Sequence, residues 1–370
     1  MFSKLLEKFL VIIIFSTIFL TLITSNEIKV SCKNEKGENV DWFYLYKLPA
    51  HYSTDKTVDY DKTGLRYMFI TNASYEQWTL SSNRINETSS ITALTLEPLI
   101  ANPLVLLLAY NDEYPNGQVI FDGGHTKGVI ATDGHTGIWL IHSVPKFPSL
   151  PKYEYPSSGS HYGQSFLCVT FNATEMEKIG EQLLFNEPNI YYERVPVALS
   201  EKFPHLEQAI RKEWISMEPF NNILDLKSLQ GTIFKSFAKT SKYNKELYED
   251  FVAPTLDTNL LVETWRNGKG NFNSNCTLND NVYNIQAIEF NNLNIQFNTT
   301  QDHSKWAVSQ SVGLKFWRWR LPSTSNWICV GDINRQQHQL LRGGGVLCQQ
   351  QKKVAKLYRK LVERYESCSK

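Results

Sequence analysis

The chain has 370 residues, room for one large domain or two ordinary ones, and its hydrophobic fraction of 42% and charged fraction of 20% argue against wholesale disorder. A net charge of +1 argues against nucleic-acid binding through bulk charge, so any such contact must come from a local groove. Aromatic residues make up 13%, which suits a strand-rich core first and stacking surfaces second.

Residues 1–25 have the pattern of a signal peptide: Lys4 and Lys8, an apolar run from Phe9 to Ile23, then Thr24 and Ser25. The run is short for a membrane span, which needs roughly 20 residues; a retained signal anchor is the competing reading. Val40-Asp-Trp-Phe-Tyr-Leu-Tyr-Lys47 predicts a buried strand. Residues 51–95 are polar and turn-rich and are expected as loops and edge strands. Residues 104–110 predict a second short buried strand. A hairpin follows, with strands over 128–132 and 138–144 around the turn signal Asp133-Gly134. Thr174 and Glu177 resemble a capping box ahead of Ile179, Leu183 and Leu184, which predicts a helix. Residues 206–214 and 245–251 are further helix candidates, and 260–265 a strand. The last segment, 349–365, predicts one amphipathic helix with Val354, Leu357, Tyr358, Leu361, Val362 and Tyr365 on one face.

The six cysteines are Cys32, Cys168, Cys276, Cys329, Cys348 and Cys368; their even number, with no metal-type spacing, predicts three disulfides in an exported chain. Cys329 and Cys348 are close enough for a local loop closure. Asn-x-Ser/Thr sites at Asn72, Asn86, Asn172, Asn275 and Asn298 predict a glycoprotein with these positions at the surface.

Two short motifs carry candidate chemistry: Gly124-His-Thr-Lys-Gly128 and Asp302-His-Ser-Lys-Trp306. In a strand, His-x-Lys puts an imidazole and an ammonium on one face. The lysine suits a phosphate oxygen, and the histidine suits nucleophilic attack or proton donation. Two such pairs facing each other would bracket one phosphate with no metal. One His-x-Lys alone means little; two, each beside strand-like sequence, point to His125, Lys127, His303 and Lys305 as a catalytic set.

The wider segments resemble the deoxyribonuclease II family. The first motif is followed by His142-Ser-Val-Pro-Lys-Phe-Pro148. Around the two motifs lie Val40-Asp-Trp-Phe43, Tyr46-Lys-Leu-Pro49, Tyr162-Gly-Gln164, Ser236-Phe-Ala-Lys239, Cys329-Val-Gly-Asp-Ile-Asn-Arg335 and Arg342-Gly-Gly-Gly345. The resemblance implies a phospholipase D-like α/β fold, mixed α+β. It has two pseudo-twofold-related halves, about 26–195 and 196–370, each a central sheet flanked by helices, with one active site at their junction. It implies that one of His125 and His303 forms a phosphohistidine while the other is general acid, then base for water. Lys127 and Lys305 would hold the phosphate, and Asn334 would support the second motif. His142 would orient a catalytic group or bind phosphate, or else be a satisfied core histidine. The implied pairings are Cys32–Cys168, Cys276–Cys368 and Cys329–Cys348. No metal and no cofactor is implied. The resemblance implies DNA as the partner and, with the signal pattern, a secretory route to a lysosomal or extracellular destination. Stable membrane association after signal cleavage is not expected, and a homodimer is left open.

Asp133 does not have the phospholipase D spacing and the second motif has no matching Asp, so neither histidine is given a carboxylate partner; His135 is expected at the surface. Residues 307–326, with Lys315-Phe-Trp-Arg-Trp-Arg320, depart from the family and are read as non-functional, either an inert insertion or translated intron, rather than as a base-stacking loop. Arg342 with its three glycines is read as a tight turn before Cys348 rather than as a backbone anion nest. The competing functions are a phosphodiesterase for another substrate, an inactive DNA- or partner-binding protein and, last, a metal nuclease.

Overall fold

A computed structural model describes residues 30–52, 62–277, 280–310 and 325–367. The signal segment, Cys368 and residues 315–320 lie outside the described residues. Two large sheets dominate. The first has eight strands: β1 (Trp42–Lys47), β2 (Tyr67–Thr71), β3 (Ser74–Leu80), β4 (Leu106–Tyr110), β5 (Gly128–Thr132), β6 (Thr136–His142), β7 (Gln164–Asn172) and β8 (Ile190–Arg194), in the order β8-β4-β5-β6-β7-β1-β2-β3. The second is built from β9 (Asn221–Lys227), β10 (Ile233–Lys239), β11 (Leu260–Glu263), β12 (Val282–Phe290), β13 (Ile295–Asn298), β14 (Trp306–Ser309), β15 (Trp327–Gly331) and β16 (Gly344–Gln350), in the order β9-β10-β16-β15-β14-β11-β12-β13. A ninth strand, β17 (Val362–Tyr365), pairs with β12.

Inner strands such as β4 and β6 are buried along their whole length because both faces are covered, whereas the edge strands β3, β8 and β9 are more polar and only partly buried. In β1, Trp42, Tyr44 and Tyr46 point into a central core, while Phe43 and Leu45 point into an outer one. The central core joins both sheets with helices α2 (Ala173–Asn186) and α4 (Lys352–Leu361). The outer face of the first sheet is closed by α1 (Ile91–Ala101) and the segment 144–155, and that of the second by residues 247–256. Helix α3 (Pro204–Ile210) packs on α2.

The pairing registers repeat between halves. Gly128, just after Lys127, faces Tyr110 and Ile141; Trp306, just after Lys305, faces Glu263 and Val330. Lys47 faces Gln164 as Lys239 faces Gly344. The halves also cross: Gly124 bridges Gly343, and the equivalent Asp302 bridges Gly163. Each motif therefore docks on the other half's sheet, which is the pseudo-twofold, phospholipase D-like arrangement.

Several local expectations shift. The cap of helix α2 lies two residues before Thr174, at Asn172, whose side chain accepts from the Glu175 N–H at 3.1 Å. The C-terminal helix stops at Leu361, and β17 continues the chain along β12. The candidate at 245–251 is a π-turn, Tyr248–Val252, running into a short helix, Ala253–Leu256. Residues 51–95 hold β2 and β3 as expected, and also the start of α1, capped by Ser90. Disulfides link Cys32 to Cys168 and Cys329 to Cys348; Cys276 is also disulfide-bonded. None of Asn72, Asn86, Asn172, Asn275 and Asn298 is fully buried, and His135 is exposed.

Candidate active site

Each histidine sits on the loop that enters its first motif strand, anchored to the other half. The His125 N–H donates to the Gly343 carbonyl and the His303 N–H to the Gly163 carbonyl, both at 2.9 Å. The side chains repeat the relation: His125 Nδ1 is 2.6 Å from the Asp332 carbonyl, and His303 Nδ1 is 2.9 Å from the Ser143 carbonyl. A carbonyl only accepts, so both Nδ1 atoms carry hydrogen and both Nε2 atoms hold the lone pair of the neutral ring. Two histidines are thereby set in the tautomer that suits attack or proton exchange at Nε2.

The turns behind these anchors are held by buried lysines whose roles sequence reasoning missed. Lys47 donates to the carbonyls of Ser160, at 2.9 Å, and Tyr162. Its equivalent Lys239 donates to the carbonyls of Gln339, at 3.2 Å, Leu340, at 3.1 Å, and Arg342. Burial pushes the Lys47 ammonium well below its ordinary value and Lys239 down to about 8; the carbonyls compensate the lost water. These lysines explain Tyr46-Lys-Leu-Pro49 and Ser236-Phe-Ala-Lys239. Gly345 is required by close approach: a Cβ there would lie 1.9 Å from the Phe237 carbonyl oxygen. Arg342 donates to the carbonyls of Gly123 and Gly124 at 2.8 and 2.7 Å, so it clamps the first motif rather than forming an open nest.

The charged groups lie within reach of one another. Lys127 is ion-paired with Asp112, whose other oxygen lies 3.6 Å from His125 Nε2. Burial disfavours the Asp112 carboxylate, but Lys127, His125 and Arg342 overcome this and hold its pKa below the ordinary carboxylate range. Asp112 has no sequence marker beyond following β4. Burial and the charge of Lys127 push His125 well below the ordinary histidine value, with Asp112 opposing. Burial, Lys305, Lys127 and His125 push His303 down likewise. Lys305 is lowered to about 7, by burial and then by Lys127. The Lys305 charge also lowers His125, and Lys127 lowers both His303 and Lys305, so the two motifs lie within electrostatic reach of each other. Lys305 Nζ donates to the His303 carbonyl at 2.7 Å, and its N–H to Ser165 Oγ at 3.0 Å. Asp302, bonded to Tyr46 and Ser304, stiffens the second motif.

The other two sequence-selected residues sit differently. Asn334 Oδ1 accepts from the Trp265 N–H at 3.3 Å, and the Trp265 ring packs 5.0 Å from the His303 ring. His142 is fully buried between Phe147 and Phe166; its Nδ1 accepts from the Val144 N–H at 3.2 Å, and burial holds it well below its ordinary pKa. Asp133 caps its own turn, accepting from the His135 and Thr136 N–H groups at 2.8 Å. Among the described residues no group of three or more His, Cys, Asp or Glu is placed to share a metal ion.

Two His-x-Lys motifs meeting across a pseudo-twofold junction make this a protein of the phospholipase D-like fold. The profile of deoxyribonuclease II matches residues 31–368. Plancitoxin-1 of Acanthaster planci is 38% identical over 370 residues, covering 97% of this chain and 99% of the relative. Deoxyribonuclease-2-beta of Mus musculus is 38% identical over 347 residues, covering 92% and 93%. Deoxyribonuclease-2 of Caenorhabditis elegans is 35% identical over 347 residues, covering 86% and 88%. The chain belongs to the deoxyribonuclease II family, whose members are nucleases of the hydrolase class.

Proposed function

We propose that this chain is an acid endodeoxyribonuclease that hydrolyses DNA phosphodiesters without a metal, leaving 3′-phosphate and 5′-hydroxyl ends. The observation that carries the reading is the paired tautomer lock: both Nδ1 atoms are spent on carbonyls, at 2.6 and 2.9 Å, and both Nε2 atoms are left for chemistry beside two lysines. One neutral imidazole attacks phosphorus through Nε2, while the other, protonated, gives its proton to the leaving 5′ oxygen as the P–O bond breaks. The second imidazole, now neutral, takes a proton from water, which displaces the phosphohistidine nitrogen and restores both rings. Lys127 and Lys305 neutralise the phosphoryl oxygens as charge builds. Asp112 beside His125 favours the protonated form there, which assigns His125 as the acid and His303 as the nucleophile.

Both histidines are pushed down from an ordinary value near 6.5, so the singly protonated pair is populated on the acid side of it. Residues 1–25 direct the chain into the secretory route and are removed, and the mature protein works in an acidic lysosomal or extracellular setting. The test is plasmid cutting across pH at constant ionic strength, with excess EDTA and end-group analysis. Cutting survives EDTA, peaks below neutrality and leaves 3′-phosphates. Loss with EDTA and recovery with a divalent ion would refute the metal-free chemistry; a maximum above about pH 8 would refute a histidine acid.

A further inference from the structure

The two halves stop matching at the wall of the junction. Tyr110 and Glu263 occupy equivalent register positions, so Asp112 and Trp265, each two residues on, are equivalent. Gln164 and Gly344 are equivalent, so Tyr162 and Arg342, each two residues earlier, are equivalent too. Around His125 that pair of positions carries a carboxylate and a guanidinium. Around His303 it carries two aromatic rings.

These rings continue outward in a row. Trp265 lies 5.0 Å from His303, Tyr162 lies 4.7 Å from Trp265, and His161 lies 4.5 Å from Tyr162, with interplanar angles of 66°, 81° and 83°. His51 extends the row, 5.9 Å from His161. Trp265 and Tyr162 are half-buried, while His161 and His51 are exposed. Among the described residues neither Trp265 nor Tyr162 packs into any of the three apolar cores. Ordinary packing therefore does not account for them. Each edge-to-face contact covers one face of one ring only, so the row does not enclose every ring on both faces.

We propose that Trp265, Tyr162 and His161 form a stacking subsite for an unpaired nucleobase of the strand being cut, next to the scissile phosphate. The inference rests on the nuclease reading above. Every nucleobase has a π-face, so such a subsite tolerates sequence and supplies affinity that a near-neutral chain cannot draw from bulk charge. A base in an intact duplex has both faces covered, so the subsite takes a base that is single-stranded or turned out of the stack. The ionic wall at Asp112 and Arg342 offers no such surface, which orients the strand across the junction.

The test uses two short single-stranded oligonucleotides, each with one cleavable phosphodiester among methylphosphonate linkages. One has normal nucleosides on both sides of that bond; the other has tetrahydrofuran abasic residues there. The readout is the ratio of their kcat/KM values. The native chain favours the base-bearing substrate by about tenfold or more. Trp265→Ala and Tyr162→Ala bring the ratio to within about twofold of one, while Trp265→Phe keeps most of it. A native ratio near one, or variants that slow both substrates equally with the ratio intact, would overturn the subsite and leave the rings as supports for His303. If Trp265→Ala fails to fold, Tyr162→Ala decides the question, its ring being one step further from the imidazole. A native chain that cuts neither oligonucleotide removes the nuclease reading itself and the subsite with it.

Discussion

Replacing Asp112 with Asn tests which histidine gives the proton. The Asp112 carboxylate is 3.6 Å from His125 Nε2, and the site is almost closed to solvent. An opposite charge at this range raises the pKa of a base by about one to three. Asn keeps the shape and removes the charge, so the His125 pKa falls. It falls further because Lys127, no longer neutralised, repels the imidazolium more strongly. If His125 is the acid, the alkaline limb of the pH–rate profile moves towards acid by about one pH unit or more. On that limb the rate drops about tenfold for each unit moved, while at the acid end it stays close to native. KM for DNA should fall as well, since a negative charge has left the phosphate's surroundings. The assay is kcat and KM on a defined oligonucleotide from about pH 4 to pH 8. If His125 must instead be neutral to attack, the acid limb moves down and Asp112→Asn gains activity at low pH. That gain, or an unmoved profile, would refute the assignment of roles.

Three further outcomes are expected. His125→Ala, His303→Ala, Lys127→Ala and Lys305→Ala should each be secreted and folded, yet lose about 100-fold or more of kcat/KM, with double variants little worse than single ones; a histidine variant that keeps half the native rate would break the two-motif reading. Lys47→Met and Lys239→Met should each destabilise by about 1–3 kcal/mol, since carbonyls now paired would be left bare. They should also lower activity through the turns that anchor His303 and His125, which thermal melts and kinetics on the same samples will separate. Cys329→Ala with Cys348→Ala opens a loop of sequence separation 19 and should cost about 3 kcal/mol, read from the denaturant midpoint of the secreted protein.

The two His-x-Lys motifs stood out as a repeated short pattern beside strand-like sequence, although the structure places His125–Lys127 and His303–Lys305 in the loops just before Gly128 and Trp306, so strand alternation does not set their faces. The strand at 42–47, the hairpin at 128–142 and the disulfide at Cys329 were legible because their signals are local. Asp112 was not. It is a single carboxylate after a buried strand, and only the pairing of β4 with β5 brings it to Lys127 and His125. The aromatic wall has the same origin, since Trp265 and Tyr162 belong to different halves. The C-terminal helix was drawn too long because Val362 and Tyr365 continue a helical spacing. Pairing of Val362 with Ile288 satisfies the same residues as a strand. At α2, Thr174 with Glu177 three residues on points to a cap two residues later than the Asn172 side chain that holds the first turn.

A duplicated fold poses a chemical problem that the differences between its halves resolve. Exact twofold symmetry would give both histidines the same pKa, whereas attack and proton donation need one neutral ring and one protonated ring. Shared features set the common level: burial and the lysines push both imidazoles below their ordinary value, so at neutral pH both are neutral and no acid is available. Lys305, at about 7, also gains its full charge only as pH falls below neutrality. The acid requirement then follows from the same closeness that lets two histidines and two lysines bracket one phosphate. The difference between halves decides where the single proton goes: Asp112 attracts it to His125, and Trp265, in the equivalent position, offers His303 no charge. On the proposed mechanism, this one difference between the halves would separate acid from nucleophile and leave the Trp265 ring beside His303 for the proposed base contact.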